Sequence, residues 1–238
     1  MTLRVAMPLI VLAALASGCG SNGDGEPTGG AQAGSEPARF SATVDNPLVP
    51  FSSVRLTVFE GSEKDPETGE KVELRVESRV LERTERVAGV PVAVVEVKDF
   101  EDGELVESTL DYYAQHEDGS VWYFGERVDD YEGGKVVGHK GQWLAGKGNA
   151  KAGIFMPAEP KVGDAFEQER APGVAEDQSK VVAAGVEVRT PAGTFSDCIK
   201  TEDYAPLDDV TEFKFYCPDV GLVREEPPGG RLDLIEYR

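Results

Sequence analysis

Lys71-Val72-Glu73-Leu74-Arg75-Val76-Glu77-Ser78-Arg79-Val80 is the stretch on which the fold turns. Val72, Leu74, Val76 and Val80 share one parity, interrupted only by Ser78, while Lys71, Glu73, Arg75, Glu77 and Arg79 take the other. In a strand, successive side chains point to opposite faces, so this alternation puts one face in a core and one in water. Wound as a helix, the same valines would scatter around the cylinder. The segment reads as a half-buried β-strand.

The pattern extends both ways. Upstream, Val54, Leu56 and Val58 alternate with Arg55, Thr57 and Phe59, and Asp65-Pro66-Glu67-Thr68-Gly69 supplies the turn between the two runs. Downstream, Ala88-Gly89 leads into Val92-Ala93-Val94-Val95-Glu96-Val97. Asp102-Gly103 then joins that run to residues 105–113; Asp-Gly is a strong hairpin signal because its two positions accept positive φ. Asp118-Gly119 precedes Val121-Trp122-Tyr123-Phe124, and Gly133-Gly134 precedes Val136-Val137. Residues 145–180 are broken by glycines and prolines, leaving Ile154-Phe155-Met156 as an apolar island, read as a plug under the sheet or the lip of a pocket. Strands resume over 180–189, 194–202, 211–217, 221–225 and 231–237. The expectation is an all-β fold: a single antiparallel, strongly curved sheet, half-barrel or barrel-like, of about eleven strands with few helices.

The N-terminal residues belong to a different regime. Arg4 precedes an apolar run over residues 5–16, interrupted only by Pro8, and Ala16-Ser17-Gly18 then leads to Cys19. The run has the length of an export signal and falls short of the ~20 residues that span a bilayer. It resembles a bacterial lipoprotein signal peptide, although the preferred leucine, Leu15, stands one place further from the cysteine than in the commonest form. The resemblance implies cleavage before Cys19 and lipid attachment to its thiol. Residues 20–38 have no hydrophobic side chain larger than alanine and read as a Gly/Ser-rich tether with a reach of about 25 Å. The expected organisation is therefore a signal peptide over 1–18, a tether over 19–38 and one all-β domain over 39–238. The expected address is the extracytoplasmic face of a bacterial envelope, anchored to the membrane by lipid.

A second resemblance lies in the β region. Trp122-Tyr123-Phe124-Gly125-Glu126, Tyr131-Glu132-Gly133-Gly134-Lys135, Gly153-Ile154-Phe155-Met156-Pro157 and Gly173-Val174-Ala175-Glu176-Asp177 carry it. Thr190-Pro191-Ala192-Gly193-Thr194-Phe195 and Gly221-Leu222-Val223-Arg224-Glu225 complete it. Together they resemble a family of bacterial exported proteins and lipoproteins with no assigned activity, which brings no catalytic residue with it.

Composition narrows the function. Forty-four acidic residues against 24 basic ones give a formal charge of −20, the opposite of the basic footprint that nucleic acid requires. Two histidines, His116 and His139, stand far from any cysteine cluster, so no zinc spacing appears and no metal or cofactor is expected. Nucleophile, P-loop and dinucleotide motifs are absent. The paired carboxylates Glu101/Asp102, Asp129/Asp130, Glu176/Asp177 and Asp208/Asp209 are the candidates for acid-base work. Glu176-Asp177 leads them because it sits in a long irregular loop. His139 shares parity with Val137 and Trp143 and reads as a packed or rim residue. Cys198 and Cys217 fall in consecutive strands and could pair in an exported setting, but Cys198 shares a face with Thr194 and Ser196 while Cys217 shares one with Phe213 and Phe215; a bulge or a twisted strand end would reconcile them. The aromatic concentration offers Tyr112, Trp122, Phe124, Trp143 and Phe155 as residues that could line a cavity. The leading expectation is a non-enzymatic binding module for an apolar or other small ligand, an architecture-level analogy with lipoprotein carriers. The alternatives are an extracytoplasmic hydrolase using paired carboxylates and a structural or interaction lipoprotein.

Overall fold

The computed structural model describes residues 39–65 and 68–238. Cys19, the signal-like segment and the tether lie outside the described residues. Sixteen strands join one sheet. The first eight are β1 (Phe40–Ser41), β2 (Leu56–Lys64), β3 (Lys71–Val87), β4 (Val90–Glu101), β5 (Glu104–His116), β6 (Val121–Glu132), β7 (Lys135–Gly138) and β8 (Trp143–Leu144). They are followed by β9 (Lys151–Met156), β10 (Ala165–Glu167), β11 (Glu169–Arg170), β12 (Gln178–Thr190), β13 (Gly193–Ala205), β14 (Val210–Cys217), β15 (Gly221–Glu226) and β16 (Arg231–Tyr237). The eleven expected strands correspond to β2–β7 and β12–β16. The count is corrected upward by β1, β8, β9, β10 and β11, short pairings inside the Gly/Pro-broken stretches that periodicity cannot register. Ile154-Phe155-Met156 is likewise part of a strand: β9 pairs with β6, Ile154 opposite Trp122 and Met156 opposite Val121.

The hairpin chemistry explains the meander. Asp102 and Gly103 take φ of 49° and 84°, Ala88 and Gly89 take 50° and 82°, and Gly133 and Gly134 take 56° and 74°. Paired positive φ values match the twist of the flanking strands, so each turn returns the chain into its neighbour. In β3, Leu74 and Val76 are buried. Their charged alternates, Arg75 with Glu60 and Glu77 among them, pair on the outer face.

The sheet curls until its two ends meet. Its order runs β10-β12-β13-β14-β15-β16-β2-β3-β4-β5-β6-β9-β11. The terminal members, β10 and β11, are consecutive in the chain, separated by Gln168 alone. The sheet is thus nearly closed into a barrel, and closure protects edges that would otherwise present unpaired backbone groups. The amides of Gln168 and Glu169 both donate to Asp177 O, and Gln168 Nε2 donates to Phe155 O, which ties the seam.

Residues 44–54 cross from the β5–β6 side of the barrel to the β14–β15 turn. Asn46 organises them: its backbone N–H donates to Gln115 Oε1, its carbonyl accepts from the Val49 amide, its Nδ2 donates to Gly119 O, and its Oδ1 accepts from the Leu48 amide. At the far side the Asp219 amide donates to Pro47 O. No helix among the described residues is long and apolar enough to cross a membrane.

Candidate functional site

The barrel holds a cavity of about 270 Å³ that is partly open to solvent. One part of its wall is apolar, with Leu48, Pro50, Phe51 and Val54 from the crossing segment and Leu56 and Leu222 from the strands. The other part is acidic. Its carboxyls come from six elements: Asp99 on β4, Glu107 and Asp111 on β5, Glu126 on β6, Glu169 on β11, Asp177 before β12 and Glu225 on β15.

Strand parity places them. On β5, Glu107, Thr109, Asp111 and Tyr113 occupy alternate positions, and all four line the cavity. Register then sets acid against acid, Asp99 opposite Glu107 and Asp111 opposite Glu126. Glu126 reaches the interior only because β6 carries a bulge. Between Asp111/Glu126 and Tyr113/Tyr123, two steps on β5 oppose three on β6. Gly125, at φ 106°, absorbs the extra residue. Both Tyr123 and Glu126 therefore face inward, which unbroken alternation would forbid.

Burial sets the electrostatics. It pushes the carboxyls of Glu107, Asp111, Asp177 and Glu225 up to about 7. Glu107 is raised further by Asp130 and Asp111. Hydrogen bonds from Thr109, Tyr123 and Tyr113 work against the shift at Asp111, and Lys214 works against it at Asp177 and Glu225. Asp99, Glu126 and Glu169 rise well above the ordinary carboxyl value, again chiefly by burial, with neighbouring acids adding to it. Desolvation penalises the charged form, and like charges compound it.

Lys214 is the cation that faces this wall from β14. It lies 2.9 Å from Glu212 and 3.7 Å from Asp203, and Glu225 is its register partner on β15. Burial alone would lower its ammonium, but Glu212, Glu225 and Asp203 hold it well above the usual lysine value. Arg55 also borders the cavity, with its guanidinium bound to Val80 O at 3.0 Å.

Aromatic rings stand between the two parts of the wall. Tyr113 and Tyr123 stack with centroids 4.9 Å apart, Phe155 meets Tyr113 edge-on at 5.0 Å, and Phe51 meets it at 5.2 Å. Tyr216 lies 6.4 Å from Phe155.

Of the five aromatics singled out from the sequence, Phe155 reaches the cavity. Tyr112, Trp122 and Phe124 belong to the opposite parity from Tyr113 and Tyr123. Tyr112 is fully buried, and Trp122 and Phe124 pack around Phe40 at 5.8 and 5.4 Å. Trp143 stands behind Tyr123, edge-on at 5.5 Å. The paired carboxylates also separate. Asp102 is the hairpin residue, Asp129 meets His139 Nδ1 at 3.0 Å, and Asp209 accepts from Tyr204 OH. Glu176 turns back to accept from the Gly173 amide, while its neighbour Asp177 enters the cavity.

Cys198 and Cys217 form a disulfide outside the cavity lining. Asp197 takes φ 57° and the β12–β13 register shifts between Val186 and Val188, which turns Cys198 toward the face that holds Phe215, Cys217 and Val223.

Six of the seven acids are not among the carboxylates singled out from the sequence; Asp177 is the exception. The available signal was parity: Glu107 and Asp111 alternate in step with Tyr113, and Lys214 is flanked by Phe213 and Phe215. The register that makes those parities converge is a long-range property. Among the described residues, no group of three or more histidine, cysteine, aspartate or glutamate side chains is disposed to hold a metal ion.

These features define an antiparallel, nearly closed β-barrel with an acid-lined interior cavity. No family model matches the chain, including the segments whose resemblance is given above, and no curated protein matches it in sequence. Among solved structures, the chain is similar to a candidate lipoprotein from Parabacteroides distasonis ATCC 8503, at 14% identity over 83% of this chain and 100% of that one, with a TM-score of 0.40. A likeness of that size carries nothing about binding or activity.

Proposed function

We propose that this chain is a lipid-anchored, extracytoplasmic binding module that holds a small ligand inside its barrel. The address is supported by the sequence over residues 1–38, with Cys19 as the point of lipid attachment and the tether setting the barrel off the membrane. The binding role is supported by one observation above all: a cavity of about 270 Å³ with an apolar part, a polar part and aromatic rings between them. Concave, mostly apolar sites with a few placed polar groups are the usual form of small-molecule sites, commonly ~300–1,000 Å³.

Native mass spectrometry of the protein extracted from its own membranes tests the reading. A co-purifying small molecule in stoichiometric amount is the expected result. A protein that is uniformly ligand-free, and that binds no member of a diverse small-molecule panel, would overturn it. The anchor is tested separately by Cys19→Ser, which should release the protein from the membrane fraction.

A further inference from the structure

Resting on the binding-module reading, we propose that the ligand is an organic cation: a protonated amine or quaternary ammonium group on a small apolar or aromatic body.

The charge of the wall points there. Seven carboxyls border the cavity, from Asp99 on β4 round to Glu225 on β15, and the cations bordering it are Lys214 and Arg55. Neither cation is free to neutralise the β4–β6 acids. Lys214 is engaged with Glu212 and Asp203, and Arg55 is bound to Val80 O. The pairs Asp99/Glu107 and Asp111/Glu126 thus face each other as acid against acid. Such an arrangement is unfavourable in an empty protein, because buried charge is tolerated only when paired and hydrogen-bonded.

Glu126 supplies the second, independent observation. It is 7% exposed and lines the cavity, and its Oε1 has no hydrogen-bond partner. Buried polar atoms are normally satisfied, so an unsatisfied one at a cavity wall marks a place where a donor is missing. To the ionised form of Glu126 the missing group must donate, since a carboxylate only accepts, and a cation beside it would favour that form over the neutral one. An ammonium does so and also brings the charge that Glu126, Asp111 and Asp99 lack.

The lining also separates an organic cation from a bare metal ion. A metal site needs three or more ligands converging on one point, and the described residues hold no such group. The carboxyls instead surround a volume, with the stacked rings of Tyr113 and Tyr123 and the edge of Phe155 beside them. A ring face beside a carboxylate is the surrounding that a cation attached to hydrocarbon favours, through cation–π attraction and apolar contact. The apolar part, Leu48 to Leu56, then takes the body of the ligand.

Three probes of nearly equal shape test this: 2-phenylethylammonium, 2-phenylethanol and 3-phenylpropionate. Each is titrated at pH 8 against the full-length protein in phosphatidylcholine nanodiscs, with empty nanodiscs as the blank. The ammonium should bind at least about tenfold more tightly than the alcohol, the scale of one charge-assisted hydrogen bond, and the carboxylate should bind least. Glu126→Gln should remove most of that preference, bringing the ammonium to within about twofold of the alcohol; should Glu126→Gln fold poorly, Asp111→Asn gives the same readout. Equal binding of ammonium and alcohol, or preference for the carboxylate, overturns the organic cation but leaves the binding module standing. Binding of none of the three also overturns the cation proposal, whereas the module itself fails only on a ligand-free native mass spectrum joined to no binding across the wider panel.

Discussion

Asp111 and Glu126 are register partners across β5 and β6, two carboxyls set opposite each other inside the barrel. Each is less than one-tenth exposed. Their relationship makes the empty protein's stability depend on pH in an unusual direction. Ordinary acids titrate near ~4 in an unfolded chain, whereas Glu107, Asp111, Asp177 and Glu225 are held at about 7 in the folded one. Between those values the folded state binds more protons than the unfolded state, so stability falls as pH rises through 7 and levels off above it. Lys214 works against the shift at Asp177 and Glu225 without reversing it, and Glu212, itself raised by burial, adds to the fall. Thermal melts of ligand-free protein should show a lower midpoint at pH 8 than at pH 6. Asp111→Asn should raise the pH 8 midpoint and flatten the profile; an unchanged slope in that variant would show that the pair does not titrate in this range.

Gly125 fixes the bulge on which the pair depends. At φ 106° an L side chain is strained, and a Cβ there would lie 2.3 Å from Trp143 O and 2.9 Å from Leu144 Cα, both backbone atoms that cannot yield cheaply. Gly125→Ala should destabilise the protein by about 2–4 kcal/mol. If it instead folds with normal stability, the bulge has been expelled and Glu126 has rotated out of the cavity. In that case the pH slope should weaken together with any preference for a cation.

The contrast between these sites and the rest of the chain shows what a single sequence discloses. Residues 71–80 and the paired-glycine turns declared strands and hairpins, because parity and positive φ are local properties. The acid wall was hidden for two reasons. First, an acid facing inward looks the same in a sequence as one facing water. In a chain with 44 acidic residues, the solvated reading wins by default. Second, the Gly125 bulge breaks the alternation that would have linked Glu126 to Tyr123. At Cys198 the parity mismatch with Cys217 is visible in the sequence, and Asp197 at φ 57° is the break that shifts the face. The aromatic cluster was visible, but parity separated its members, sending Tyr113 and Tyr123 inward and Tyr112, Trp122 and Phe124 the other way.

The disulfide should matter to stability and little to the cavity. Cys198 and Cys217 are 19 residues apart and belong to the cluster that holds Phe59, Leu232 and Leu234. Neither cysteine lines the cavity. A loop of that size should contribute about 3 kcal/mol by restricting the unfolded chain. Reduction, or the double substitution of both cysteines by serine, should therefore lower the denaturation midpoint. Ligand affinity measured well below that midpoint should stay within about twofold.

Lys214 tests the electrostatics most sharply, because a lysine that compensates buried charge and one that only fills space predict different outcomes for a second substitution. Its side chain is 18% exposed, and the Glu212 and Asp203 side chains beside it are 3% and 4% exposed. Removing one member of a buried ion pair typically costs about 3–5 kcal/mol, because the other charge is left uncompensated. Lys214→Met should fall in that range at pH 8 and cost less at pH 5, where Glu212, raised above its ordinary value by burial, can take up a proton. Adding Glu212→Gln to Lys214→Met should then recover part of the lost stability at pH 8, since it removes the stranded charge. If lysine served only to fill space beside Phe213 and Phe215, Glu212→Gln would further destabilise Lys214→Met or leave it unchanged, and the pH dependence of the single variant would match that of the parent.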